Sequence, residues 1–218
     1  MRIPSLLLVT SLVGSSAWAQ HKDSHNYVHL GFGGVFSETA KDVPIDKDPF
    51  IADVGFDSGF SLSGALGRNY RLTSRWSADA EVEVFYQAFS VDDGDLNAGF
   101  GVSPARENNA KTFSFMLNGL LEWEFTPQFS IYGGLGLGYA KDIDYSTWDV
   151  GGFRNENSDG AAFQGRLGFL YNLGGKNDLL IGYRYFKTEP VDISNATGPD
   201  SEIDVAQHSI EVGLRWGL

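Results

Sequence analysis

The chain has 218 residues, no cysteine and a formal net charge of −12. Without cysteine it can have no disulfide framework, cysteine nucleophile or thiolate metal site, and its acidic balance excludes a general nucleic-acid binder, which needs a basic face. With 27 glycines, 14% aromatics and few, scattered prolines, the composition leans towards β structure.

The first twenty residues, "MRIPSLLLVTSLVGSSAWAQ", carry one basic residue, an apolar run from Ile3 to about Val13, and small residues ending in Ala17-Trp18-Ala19. That is the pattern of a cleaved secretory signal, and the run is too short for a helix crossing a bilayer, which needs about 20 apolar residues. The spacing predicts a signal peptide over 1–19 and one barrel domain over 20–218.

Eight segments then alternate apolar and small or polar residues with a period of two, the mark of strands with one apolar face. Tyr27–Ser37 sets Val28, Leu30, Phe32 and Phe36 against His29, Gly31 and Gly33. Gly59–Tyr70 sets Phe60, Leu62 and Leu66 against Ser61, Ser63 and Ala65. Trp76–Ser90 opposes Val82, Val84 and Tyr86 to Asp79, Glu81 and Glu83. In "TFSFMLNGLLEWEF", Phe113, Phe115, Leu117, Leu121, Trp123 and Phe125 face away from Thr112, Ser114, Asn118, Glu122 and Glu124. Phe129–Ala140, Ala161–Leu173, the stretch around Leu179–Tyr185 and the final "HSIEVGLRWGL" repeat the pattern.

The connections alternate too. Short ones ("RLTSR", "TPQ", "GGKN") follow the second, fourth and sixth segments. Long ones, at about Glu38–Ser58, Ser90–Ala110, Lys141–Gly160 and Lys187–Asp204, follow the odd ones. An even strand count with short turns at one end and long loops at the other predicts an all-β fold, an eight-stranded antiparallel up-and-down transmembrane β-barrel. A soluble ligand-binding barrel would also alternate, with its apolar face inside. The polar face here is rich in Gly, Ser and Ala, which suits a narrow lumen packed with side chains. The aromatics of the apolar face also sort by height. Trp76, Trp123, Phe129, Tyr171 and Trp216 lie beside the short turns, and Phe36, Phe60, Tyr86, Phe113, Tyr139, Phe163 and Tyr185 towards the long loops. These read as a periplasmic and an extracellular aromatic girdle.

The long loops hold 20 acidic and 6 basic residues. Lumen-facing positions mix both signs, and buried charges persist only when paired. Parity therefore predicts a lumen charge network of Glu81, Glu83, Glu122, Glu124, Arg166, Arg184, Glu211 and Arg215, plugging the barrel rather than lining a narrow pore.

"YGGLGLGYA" at Tyr132–Ala140, "GYRYF" at Gly182–Phe186 and "HSIEVGLRW" at His208–Trp216 resemble the small outer-membrane β-barrel family of Gram-negative bacteria, the opacity-type surface antigens and the OmpA-like transmembrane barrel. The resemblance covers essentially Asn26–Leu218. It implies insertion by a barrel-assembly machinery that reads the C-terminal strand, and roles in envelope integrity, adhesion or host contact. In place of that family's usual terminal aromatic stands Leu218, two residues after Trp216. No peptidoglycan-binding domain follows Leu218, so no tether to the cell wall is expected.

Catalytic chemistry finds little footing. His208-Ser209 invites a lipid A acyl-hydrolase reading, but neighbours on a strand point to opposite faces and cannot share a proton; His29 faces the lumen by parity. The acidic clusters Asp42–Asp48 and Val91–Asn97 lack the ligand spacing of an EF-hand loop. No enzyme, catalytic residue, cofactor or metal is expected. The expected partners are outer-membrane lipid and lipopolysaccharide, the assembly machinery, and an unidentified surface ligand or host receptor; no nucleic acid is expected, and the chain should be a monomer. The sequence reads as a surface protein displaying four acidic loops, with a narrow small-solute channel as the alternative and a lipid A-modifying enzyme third.

Overall fold

The structure, a computed structural model, describes residues 23–37, 40–45, 50–92, 108–145, 158–189, 191–193, 201–203 and 206–218. The predicted signal peptide and the greater part of the predicted acidic loops lie outside them. The strands, in chain order, are β1 (His25–Ser37), β2 (Ala40–Ile45), β3 (Phe50–Arg71), β4 (Trp76–Asp92), β5 (Asn108–Glu124), β6 (Phe129–Tyr145), β7 (Ser158–Gly174), β8 (Asn177–Thr188), β9 (Val191–Ile193), β10 (Ser201–Ile203) and β11 (Ala206–Gly217).

Eight of them, β1, β3 to β8 and β11, are staves of one antiparallel barrel. Each of β3 to β8 pairs with its sequence neighbour, and β11 pairs with β8. β1 lies between β3 and β11, which closes the ring: Tyr27 stands opposite Gly217 and Ser37 opposite Gln207. The first and last predicted segments thus meet, as closure of an up-and-down barrel requires.

Several staves outrun their predicted segments. β3 begins at Phe50, β6 continues to Tyr145 and β7 begins at Ser158, so parts of the predicted loops are strand. β2 pairs with the first residues of β3, from Ala40 opposite Val54 to Ile45 opposite Phe50, and β9 pairs with β10. Beyond the lipid, water wets both faces of a hairpin. The ladder of backbone hydrogen bonds then persists without the alternation that exposes it to sequence reading.

The short turns are closed by local polar groups. Thr73 Oγ1 accepts from the Trp76 amide at 3.1 Å, and Thr126 Oγ1 from the Phe129 amide at 3.0 Å. Between β7 and β8 the chain turns through Gly174 and Gly175, with φ of 117° and 63°. Glycine adopts this left-handed region without a Cβ penalty, and the Gly174 amide donates to Asn172 Oδ1 at 3.0 Å.

The packed interior is the lumen, and it has an apolar content the alternation did not announce. Phe85, Met116, Ala140, Ala162 and Phe186 form one buried cluster, and Leu120, Tyr132, Leu170 and Leu180 another. On β4 and β8, which run towards the loop end, Phe85 and Phe186 follow Glu83 and Arg184, whereas Leu180 precedes Arg184. The two clusters thus sit above and below a charged layer. Where apolar residues adjoin, as at Phe115-Met116, Leu120-Leu121 and Leu179-Leu180, period two obliges one of each pair to face inward.

Tyr132 needs room to lie across the lumen, and Gly168 opposite Gly182 provides it. A Cβ on Gly168 would stand 2.4 Å from the Ile181 carbonyl oxygen and 2.6 Å from the Gly182 Cα, both backbone atoms that yield poorly. Gly168→Val is expected to cost about 1–3 kcal/mol, the usual range for overpacking. Urea titration of the refolded protein in lipid vesicles measures this, and an unchanged midpoint would refute the steric argument.

Candidate functional site: the charged lumen and the lipid-facing surface

Parity on the staves brings seven of the eight predicted network residues into the buried lumen: Glu81, Glu83, Glu122, Arg166, Arg184, Glu211 and Arg215. Arg184 is the hub. Its Nε donates to Glu211 Oε1 at 2.7 Å and its Nη2 to Glu83 Oε1 at 2.6 Å, while Nη1 also reaches Gln164 Oε1. The guanidinium rests over the Phe85 ring, 4.1 Å from its centroid. Glu83 in turn accepts from Asn118 Nδ2 at 2.8 Å and Gln164 Nε2 at 2.7 Å. This carboxylate is thus held by donors from three other staves, β5, β7 and β8.

Two further guanidiniums lie towards the short turns. Arg166 Nη1 donates to Glu81 Oε2 at 2.9 Å, and the Tyr27 hydroxyl donates to the other oxygen of Glu81 at 2.8 Å. Arg215 bonds Glu122 through Nη1 and lies 3.2 Å from Asp79 Oδ2 through Nη2, with its guanidinium 4.4 Å from the centre of the Tyr27 ring. Asn69 Nδ2 donates to Asp79 Oδ1 at 2.7 Å, and Ser77 Oγ donates to Glu122 at 3.2 Å. The three arginine side chains are at most 2% exposed. Buried this deeply, each charge depends on its partners, because the penalty for leaving a charge unpaired in a low-dielectric interior exceeds the gain from any single bridge.

Glu124 is the exception and a correction. It ends β5 at the short-turn rim, a quarter exposed, and bonds Arg71 at 3.1 Å rather than the central network. The strand's last residue lies where water reaches, so parity alone did not place it in the interior. Asp79 is the charged partner of Arg215 that the predicted network omitted. It lay on the inward face by the same alternation, and Arg71 shares the parity of Ser61, Ser63 and Ala65.

The outer surface is apolar, and the aromatics group as sorted in the sequence. At the short-turn end the rings run on from Trp76 to Trp123 (6.3 Å between centroids), Phe125 (6.0 Å), Phe129 (6.0 Å) and Tyr171 (5.0 Å). Trp216 faces outward on β11. At the loop end Phe60 lies 6.1 Å from Tyr86, Phe113 lies beside Phe115, and Tyr185 lies 5.5 Å from His208. Phe36, Tyr139 and Phe163 also point outward.

The suspected His-Ser dyad is split by the sheet. Ser209 is buried in the lumen, whereas His208 faces outward and bonds the Tyr183 hydroxyl. His29 stands opposite Arg215, far along β1 from Val35, the partner of Ser209. Among the described residues no group of His, Asp and Glu is placed to hold a metal ion. The side chains of Asp42–Asp48 and Val91–Asn97 lie outside the described residues.

A closed barrel with a charged layer inside and an apolar outer wall satisfies every ladder hydrogen bond without water, which is what a bilayer demands of a spanning sheet. It is a transmembrane β-barrel. The chain belongs to the outer membrane protein beta-barrel domain family, whose family model matches residues 5–216. Its structure is similar to the outer membrane protein OprG from Pseudomonas aeruginosa, at 21% identity and TM-score 0.54, covering 92% of this chain and 99% of that one. It is also similar to Neisserial surface protein A, at 14% identity and TM-score 0.54, covering 90% and 100%. The outer membrane protein AlkL, solved in lipid bilayers, aligns at 18% identity and TM-score 0.57 over 94% and 95% of the two chains. No curated protein matches the sequence. The protein resides in the outer membrane; in barrels of this kind short turns face the periplasm and longer loops the exterior.

Proposed function

We propose that the protein is a non-enzymatic outer-membrane surface protein, a plugged barrel that carries its four long acidic connections outside the cell for envelope structure, adhesion or surface recognition. The observation that supports this reading is the Arg184 hub, which ties β4, β7, β8 and β11 across the middle of the lumen. An eight-stranded barrel is just wide enough for side chains to fill it, and a bridge at its centre leaves the outer loops to do the work. The partners fitting this reading are lipid and lipopolysaccharide around a monomeric barrel, the assembly machinery at β11, and a surface ligand met by the loops.

Single-channel recording in planar bilayers tests the reading. The refolded protein is expected to show no steady open level; a sustained conductance in every insertion would replace the plug with a channel. The narrow small-solute channel is the second reading. It is favoured by the β1–β3 wall, where Gly31, Gly33, Ser61 and Ser63 put only small side chains into the lumen. Removing each long connection in turn and measuring cell-surface binding would locate the ligand.

A further inference from the structure

Arg68 is anomalous. Among the described residues it is the one charged side chain that faces outward between the two aromatic girdles. It stands on β3 opposite Ala80, one outward position in from Tyr70 at the short-turn end of the apolar wall. A cation on the lipid face is unfavourable unless something answers it. Its intramolecular answer is slight: Nη1 donates to Asn26 Oδ1 at 3.3 Å, and the guanidinium lies 5.5 Å from the centre of the Tyr70 ring. A guanidinium carries five N–H donors.

Beside Arg68 the outer surface is recessed. Along the line of paired residues come Ala80 and then Gly119, with Ala78 below them opposite Tyr70. A Cβ on Gly119 would meet nothing within 4 Å, so the floor opens directly to the bilayer. Larger side chains, Val82 and Leu117 on the loop side and Leu121 on the turn side, border this furrow. Its direction follows from the register. The paired line that starts at Gly31 in mid-β1 passes Ser63, Phe85, Ser114 and Ala140 and arrives at Gly160, near the loop end of β7. Moving from β3 to β5 therefore climbs from the periplasmic interface towards the middle of the membrane.

We propose that Arg68 and this furrow hold one phospholipid of the periplasmic leaflet. The headgroup phosphate accepts from the guanidinium beside Tyr70, and one acyl chain lies over Ala80 and Gly119. Charge complementarity selects the occupant, since the planar guanidinium matches phosphate oxygens bidentately. The depth selects the source, because Arg68 lies at the periplasmic end of the barrel, away from the leaflet that carries lipopolysaccharide. The site concerns the outer face alone and is independent of whether the lumen conducts.

Native mass spectrometry of the refolded barrel, released from detergent after incubation with dioleoyl phosphatidylglycerol, tests it. Wild type is expected to retain one lipid per chain. Arg68→Gln should lower that retention roughly tenfold, the effect of losing a charge-assisted hydrogen bond. Gly119→Leu keeps the guanidinium but fills the furrow, and should also lower retention. Heat-dependent gel migration verifies that both variants are folded. A wild type that retains no lipid, retention unchanged in either folded variant, or a second copy of the chain in place of lipid would overturn the proposal.

Discussion

Arg184→Met is expected to destabilise the folded barrel by about 3–5 kcal/mol, the cost of breaking a buried ion pair by removing one partner. Methionine keeps most of the stem that packs on Phe85 and leaves Glu83 and Glu211 facing each other without their shared cation. The loss comes from those two under-compensated carboxylates rather than from the missing bonds alone, since the cation left beside Glu83, Arg166 at 3.8 Å, is already bonded to Glu81. Adding Glu83→Gln and Glu211→Gln to Arg184→Met should therefore restore at least half of the stability, since replacing a whole buried cluster is far less damaging than halving it. Urea unfolding in lipid vesicles reads both. A cost below about 1 kcal/mol for Arg184→Met, in the range of exposed pairs, would show that the hub is solvated.

The second large effect lies on the opposite face of the same wall. Leu117 points outward from the middle of β5, with Phe113 and Trp123, assigned by the sequence to the two girdles, on either side. Leu117→Arg is expected to cost about 2–4 kcal/mol, because the bilayer midplane offers the guanidinium neither water nor a counter-ion. Leu121→Arg, nearer the periplasmic interface, should cost less, since the long side chain can reach headgroups. The depth dependence is the informative part. Equal costs at the two positions would mean that the apolar band is not centred where the girdles place it, and refolding yields into vesicles with urea titration would show it.

How much of this was legible in the sequence follows from what period two can carry. The staves, their faces and the closing pair were readable because lipid outside and side chains inside leave opposite chemical marks on alternate residues. Arg166, Arg184, Glu211 and Arg215 could be assigned to the lumen by parity alone. Their partners could not, because which carboxylate meets which guanidinium depends on strand stagger. Arg215 bonds Glu122 from across the barrel, and only the register decides that. Glu124 was misassigned because parity knows the face and not the height. Met116, Leu120 and Phe186 were missed for a different reason. An apolar residue turned inward looks, in one sequence, like a lapse in the alternation rather than half of a core. The outer hairpins went unread because no lipid imposes a pattern there.

The pairing of β1 with β11 has a consequence for how the barrel comes into being. The first and last staves are at opposite ends of the domain, and each is the other's only cover on that side. Before they meet, the sheet is an open ribbon with two bare edges, each a row of unsatisfied amides and carbonyls able to capture any passing strand. Arg184 meets Glu211 on the neighbouring stave, but its bond to Glu83 joins β8 to β4 and that of Arg215 to Glu122 joins β11 to β5, so these bridges across the lumen form only as the ribbon curls shut. Closure is then the event that at once hides the edges, neutralises the interior and makes the outer wall tolerable to lipid. A half-finished version of this molecule is not a smaller barrel but an adhesive sheet, which must be shielded until its two ends find one another.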